Sequence, residues 1–539
     1  MISSGLVLPN LLAARVSEDP QRPLIREIGG RELSYGETWQ EVLRWAGGLR
    51  ALGVGPGDPV LVMLPTSASA YTVWLGAAVL HAVEVPINPQ HRGGLLDHLI
   101  ADSGARVVVA ERSALDSLER LEGLHAVDTI VLLGDDPRER IGGARVVHAD
   151  ALLRDSPPLT EWDAVEPWET AAVLYTSGTT GPSKGVVIPW AQAHATAMGN
   201  GPDRALRTPE TVIFQPYPTF HVSGKYAIYN AALGRGQIVV RSKLDVSRFW
   251  DDIRDYGCTH CILMGTTAGI LLRNAPAPDD ADNPLTSVLF SPWTSEVEDF
   301  KSRFGCEAFS VFNMTEVSCP IVAGWDGGPV GKPASCGRAR EGYTLRIVDE
   351  YDRPVPTGEA GELILRADRP WTLMAGYWRR PDATVAAWRN QWFHTGDLFR
   401  IDEDGDLYYL DRTKDAIRRR GENISSAEVE AEVLAHPAVL EVAAVAVDDL
   451  LSEQEIKVVV VEHPERSVDP IALTAFLRDR MAAHMMPRYL EIVAELPKTP
   501  TGKVRKNVLR ESGVSDATVD LRPPAGGRLA ASAHVKGEK

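Results

Sequence analysis

From Pro59 to Pro89 the chain runs an apolar segment, Val60 to Leu64, into a long apolar helical pattern around Tyr71 to His81, and then into a second short strand, Val83 to Ile87. Strand, helix and strand at this spacing read as a β-α-β unit, whose parallel strands are buried on both faces. The alternation recurs through Ala105 to Ala110, Thr129 to Leu133, Ala171 to Thr176, Thr211 to Gln215, Gly236 to Val240 and Ser287 to Phe290. It predicts an α/β architecture with extensive sheets. At 539 residues the chain also exceeds one ordinary core, so more than one domain is expected.

After about residue 340 the pattern changes to short strands with turn signals between them, as in TLRIVDE, GELILRA and GDLYYLDR, which predicts a smaller β-rich portion. Beyond Asp411 a basic segment leads into a helix near Ser426 to Leu434, alternating strands from Val439 to Val447 and Ile456 to Val461, and a helix near Ile471 to Ala483. This is enough for a compact α+β domain of its own. The expected division is 1–410 for a large N-terminal domain, 411–515 for a small C-terminal domain, and 516–539 for a flexible tail.

The net charge of −17 repels phosphate backbones and anionic lipid, so neither nucleic acid nor a membrane is an expected partner. No stretch approaches the ~20 apolar residues of a membrane span. Five cysteines are too few to staple a secreted fold of this size, and a cytoplasmic, reducing location is expected. Cys258 and Cys261 form a CxxC with no second pair at zinc spacing, and their context reads as a turn entering a buried strand.

The most informative motif is YTSGTTGPSKGV, Tyr175 to Val186, directly after the apolar strand AAVLY. A loop so rich in glycine and hydroxyls offers backbone N–H groups and small donors to phosphate oxygens, and Lys184 adds a positive charge. Gly-Lys-Ser/Thr never occurs in it, so it is not a Walker A loop. Five further motifs follow in order: PYPTFHVSG (Pro216 to Gly224), FNMTE (Phe312 to Glu316), HTGDL (His394 to Leu398), DRTKDAIRRRGENI (Asp411 to Ile424) and PKTPTGKVRK (Pro497 to Lys506). With these motifs, residues 10 to 510 resemble the adenylate-forming superfamily, which includes acyl- and aryl-CoA synthetases, firefly luciferase and the adenylation domains of peptide synthetases.

The resemblance implies a large N-terminal domain of α/β subdomains with a small β-rich subdomain, and a small mobile C-terminal lid turning about a hinge near Lys414. It implies ATP, Mg²⁺ and CoA as cofactors and co-substrates. Thr176, Ser177, Gly178, Thr179, Thr180 and Lys184 would bind nucleotide phosphates. Glu316 would hold the metal and Thr315 the α-phosphate, while Phe312 would stack on adenine. Asp397 would bind the ribose, with Arg412 beside the hinge in the same nucleotide site. His221 would border the acid pocket. Lys503 would be the catalytic lysine, neutralising the carboxylate and α-phosphate as they join. Gly421 would let a pantetheine arm pass, and the run Arg418, Arg419, Arg420 is read either as a phosphate contact or as a solvated face.

Two departures from the family pattern bear on the acid. Phe312-Asn313 replaces the usual Tyr-Gly, and a shortened loop carries Ser291-Pro292-Trp293, so Asn313 and Trp293 are expected to narrow or polarise the pocket. Lys225 is a candidate counter-charge for a second anionic group. The expected activity is ligation of a small or polar carboxylic acid to CoA through acyl-AMP. The alternatives are a carrier-protein thiol as acceptor, or ATP-dependent nitrite activation for diazotisation of an aromatic amine. A non-enzymatic nucleotide-binding relic is disfavoured by the presence together of Lys184, Glu316, Asp397 and Lys503. The oligomeric state is left open, with a homodimer as one reading.

Overall fold

The computed structural model describes residues 1–121, 123–176, 183–291, 297–325, 332, 335–412, 416–419, 422–449, 453–497, 504 and 506–522. They fall into two compact units: a larger one of Met1–Pro89, Leu96–Thr176 and the residues from Lys184 through the strand Leu407–Arg412, and a smaller one built on the residues after it together with Gln90–Leu95. The last strand of the larger unit thus runs two residues past the expected boundary at 410, because Arg412 still pairs with Asp397.

Among the described residues the larger unit holds two nine-stranded sheets and a four-stranded sheet. The predicted β-α-β unit is present: Pro59–Met63 pairs in parallel with Val83–Pro86 through the helix Ala68–Ala78. Both strands are buried, as expected of a parallel sheet covered on its faces, with Glu84 the one charged residue in them, and the connecting helix is buried nearly all round. Trp74 of that helix stacks on Trp190 with centroids 5.3 Å apart and donates its indole N–H to the Ala171 carbonyl at 2.7 Å. The helix Tyr35–Ala51 is started by a reciprocal capping box, with Ser34 accepting from the Glu37 amide and Glu37 accepting from the Ser34 amide.

Each large sheet is parallel in its middle and turns antiparallel toward the end that matters for the site. In one, Thr170–Thr176 continues the parallel order beside Val83–Pro86 and then pairs antiparallel with Lys184–Pro189. In the other, Glu307–Met314 is parallel to Ser287–Ser291 and antiparallel to Ser318–Ala323. The segments predicted as the β-rich portion form the four-stranded antiparallel sheet Tyr343–Val348, Gly361–Ala367, Phe393–Ile401 and Leu407–Arg412.

In the smaller unit, Val439–Asp449 and Glu453–Glu462 form a long antiparallel pair, and Tyr489–Ile492 adds in parallel. The helices Ser426–Leu434 and Pro470–Arg478 contribute Val429, Val433, Leu473 and Leu477 to the buried cluster of that unit. The tail expected from residue 516 starts too early: Thr518–Asp520 is an edge strand antiparallel to Tyr489–Glu491, and Leu521 is buried in the same cluster. Cys258 and Cys261 are both buried at the start of the strand His260–Met264, and burial raises both thiols, as expected of structural cysteines. No helix among the described residues is long and apolar enough to cross a membrane.

Two buried histidines make the larger unit acid-sensitive. His194, packed edge-on against Tyr229, is lowered to about 4 by burial and then by Arg207; His260 is lowered to about 3 by burial. Both are neutral in the fold but protonate near 6.5 when unfolded, so the stability they contribute is complete above that value and is lost as pH falls toward their folded pKa values. Thermal unfolding midpoints should therefore drop between about pH 6.5 and about pH 4, and a His194→Gln variant should show a shallower drop than the parent in the same buffers.

Candidate active site

The two antiparallel hairpins carry the residues expected to serve the nucleotide. Thr176 and Lys184 face each other as the last pair before the glycine-rich loop, with the Thr176 hydroxyl 3.5 Å from the Lys184 carbonyl. The strand Thr170–Thr176 is anchored where it enters that loop: the Tyr175 hydroxyl donates to Asp102 at 2.6 Å, and Trp378 donates to the Asp102 carbonyl at 3.2 Å. Gly185 has no room for a side chain, because a Cβ there would come within 2.5 Å of Val173.

On the second hairpin, Thr315 and Glu316 sit at the turn between Glu307–Met314 and Ser318–Ala323. The turn is closed by the Val317 amide donating to the Met314 carbonyl at 3.2 Å. Gln192 donates to the Thr315 carbonyl at 2.7 Å, and the Met374 amide donates to the Glu316 carbonyl at 2.9 Å. Tyr377 joins the hairpins: its hydroxyl donates to a Glu316 carboxylate oxygen at 3.1 Å, while the Lys184 ammonium lies 5.0 Å from its ring centroid. Tyr377 reaches this place because Gly376–Tyr377 pairs with Val186 and Val187 on the outer edge of the first hairpin. One cation and one carboxylate thus flank a single tyrosine.

Glu316 is mostly buried and is held at one oxygen by a neutral donor. Among the described residues no group of three or more His, Cys, Asp or Glu could hold a metal. A single carboxylate fits Mg²⁺, which keeps most of its shell for water and phosphate oxygens, and does not fit a metal that needs an all-protein cage.

The other predicted residues take these places. Phe312 lies edge-to-face on Phe399 at 5.0 Å and packs on the cluster of Ile321, Ile347, Leu363 and Leu407. Asp397 is almost wholly buried in the strand Phe393–Ile401, after Gly396 with a φ of +71°, and its backbone pairs with Arg412. His221 is the residue before the helix Val222–Gly234; its side chain makes no capping bond, and its ring lies 4.8 Å from Phe220. Gly224 follows in that helix, and a Cβ there would lie 1.9 Å from the Pro218 carbonyl oxygen. Asn313 directs its amide N–H to the Cys319 sulfur at 3.3 Å. Ser177, Gly178, Thr179, Thr180, Trp293, Lys414, Gly421 and Lys503 lie outside the described residues, and Arg412 is described by its backbone alone.

Two charge readings are corrected. Lys225 is not a counter-charge awaiting an acid: it is buried, paired with Glu84 and 3.9 Å from the Trp74 ring centroid. Burial raises the Glu84 carboxyl to about 7 against the pull of Lys225, and lowers Lys225 against the pull of Glu84. Arg419 does not present its guanidinium to a phosphate. It is buried against Glu455 at 2.7 Å and donates to the carbonyls of His484 and Met486 at 2.8 Å each. Asp102, Tyr377, Gln192 and Glu84 escaped the sequence reading, since each matters only through a partner that is distant along the chain.

Residues 12–378 match the family model of the AMP-binding enzymes, and residues 428–503 match that of the AMP-binding enzyme C-terminal domain. The chain belongs to the AMP-binding enzyme family and is an adenylate-forming enzyme. It is 30% identical over 487 residues to a crotonobetaine/carnitine–CoA ligase of Salmonella enteritidis, covering 89% of this chain and 93% of that one. Its structure is similar to o-succinylbenzoate CoA synthetase of Bacillus subtilis, with a TM-score of 0.80 at 23% identity over 93% of this chain and 98% of that one. It is also similar to an amide bond synthetase of Marinactinospora thermotolerans, with a TM-score of 0.77 at 25% identity, covering 93% and 99% of the two chains.

The buried Glu84–Lys225 pair yields a test of the correction. Glu84→Leu alone strands a buried ammonium and should destabilise the protein by about 3–5 kcal/mol, whereas Glu84→Leu with Lys225→Met should recover most of that loss. Denaturant unfolding of the two variants beside the parent measures both effects.

Proposed function

We propose that the protein is an AMP-forming ligase that activates a small or polar carboxylic acid and passes the acyl group to CoA. The observation that carries this reading is the meeting of the two hairpins at Tyr377, which brings Lys184 to its ring and Glu316 to its hydroxyl next to the glycine-rich loop. Curated relatives named for crotonobetaine and carnitine, both small polar acids, support the substrate class.

In the first step a carboxylate oxygen attacks the α-phosphorus of ATP, the bond to the β-phosphate oxygen breaks, and pyrophosphate leaves. Two anions must meet, so the barrier is largely electrostatic. Lys184 and the loop Thr176 to Thr180 would hold the phosphates, Thr315 the α-phosphate, and Lys503 would approach both reacting oxygens. Glu316 would hold Mg²⁺, which when bound neutralises phosphate charge. Phe312 would stack on adenine, Asp397 and Arg412 would define the ribose side, and His221 would border the acid. In the second step a thiol attacks the acyl carbon and AMP leaves. A lid turning near Lys414 would exchange Lys503 for Gly421 at the site, so that one cleft serves both steps.

Pyrophosphate exchange should be fastest with short or polar acids, and best activity with C12 to C16 fatty acids would refute the pocket reading. AMP release should require CoA; release that instead requires a carrier protein, or nitrite with an arylamine, would select the alternative acceptors. Lys503→Ala should lower adenylation by at least about a thousandfold while ATP binding, followed by calorimetry, stays close to that of the parent.

A further inference from the structure

The turn bearing Thr315 and Glu316 is held in a conformation that an isolated hairpin would not choose. Ser318 ends it with a φ of +63°, a left-handed backbone that disfavours a residue with a side chain. The Ser318 hydroxyl, itself buried, donates to the Thr372 carbonyl at 3.2 Å and lies 3.4 Å from the Gln192 carbonyl. Gln192 is wholly buried: Nε2 donates to the Thr315 carbonyl, while Oε1 meets no donor among the described residues.

For stability alone this is a poor choice of residue. A desolvated carboxamide oxygen without a donor is unfavourable, and an apolar side chain of the same length would avoid it. What the carboxamide adds is a donor aimed at one carbonyl of the functional turn. Its helix, Trp190–Gly199, is registered to the other hairpin, because Trp190 stacks on Trp74 and Trp74 is bonded to Ala171 in the strand that runs to Thr176.

We propose that Gln192 is a positioning residue: by holding the Thr315 carbonyl it sets the Thr315–Glu316 turn against Thr176 and Lys184, and thereby sets the affinity for magnesium-bound ATP. The inference rests on Glu316 and Thr315 serving the metal and the phosphate. Gln192→Met removes the donor and keeps the volume. It should weaken Mg·ATP binding, measured by calorimetry on the full chain, on the order of tenfold, the equivalent of one lost hydrogen bond. KM for ATP should rise with it while KM for the acid stays unchanged.

Gln192→Glu provides a rescue. Burial raises the new carboxyl, so at lower pH its O–H donates to Thr315, whereas at higher pH a carboxylate faces the carbonyl oxygen. The ratio of its Mg·ATP Kd to that of the parent should shrink from about pH 8 to about pH 6. Tyr35→Phe, which removes a buried hydroxyl that lies 3.0 Å from both the Ala231 and Gly236 carbonyls, controls for lost stability and should bind Mg·ATP like the parent. Parent-like binding by Gln192→Met, or an equal loss in Tyr35→Phe, overturns the proposal. A parent protein that binds Mg·ATP but exchanges pyrophosphate with no acid counts against the proposed function, and the binding comparison still decides the role of Gln192.

Discussion

A parallel sheet cannot turn back on itself in a few residues, and this constraint explains where the charged groups stand. Each large sheet keeps its parallel strands in the middle and adds antiparallel strands at its ends, where short connections become available. One such connection is the glycine-rich loop between Thr176 and Lys184, and the other is the turn of Thr315 and Glu316. The buried sheets supply rigidity, and the hairpins place Thr176 and Lys184 on one sheet and Thr315 and Glu316 on the other. Strands parallel throughout would have needed long crossovers at both places.

The interior between these hairpins is more polar than the core of a domain needs to be. Glu84 and Lys225, Gln192, His194 and Asn230 are all buried. An apolar replacement of the Glu84–Lys225 pair would pack as well, so the pair is weak evidence for stability. Its effect is geometric: Lys225 ties the helix that starts after His221 to the strand beside Thr170–Thr176, and its ammonium rests on Trp74, which stacks on the helix of Gln192. The strand Val83–Pro86 and the helices Ala68–Ala78, Trp190–Gly199 and Val222–Gly234 are thus registered through one ion pair and two indoles. A local shift in any of them is resisted by several partners at once.

In the smaller unit the same logic turns a sequence signal around. Three consecutive arginines resemble a phosphate patch, but alternate residues of a strand face opposite ways, and Arg419 points inward to Glu455 and two loop carbonyls. Its charge is used to hold the loop of His484 to Met486, and strand parity assigns it that role.

The amino-acid sequence by itself determined the alternation of strands and helices, the change to antiparallel texture near residue 340, the order of the motifs and hence the family. These are legible because periodicity and motif spacing are local properties of a chain. Thr176, Lys184, Thr315 and Glu316 stand out as candidates for the same reason, since each lies inside a contiguous motif. Only the tertiary structure decided that Lys225 belongs to Glu84, that Tyr377 bridges Lys184 and Glu316, and that Gln192 holds the turn. Those partners are separated by tens to more than a hundred residues, and no local pattern encodes which buried donor meets which acceptor once sheets and helices have packed.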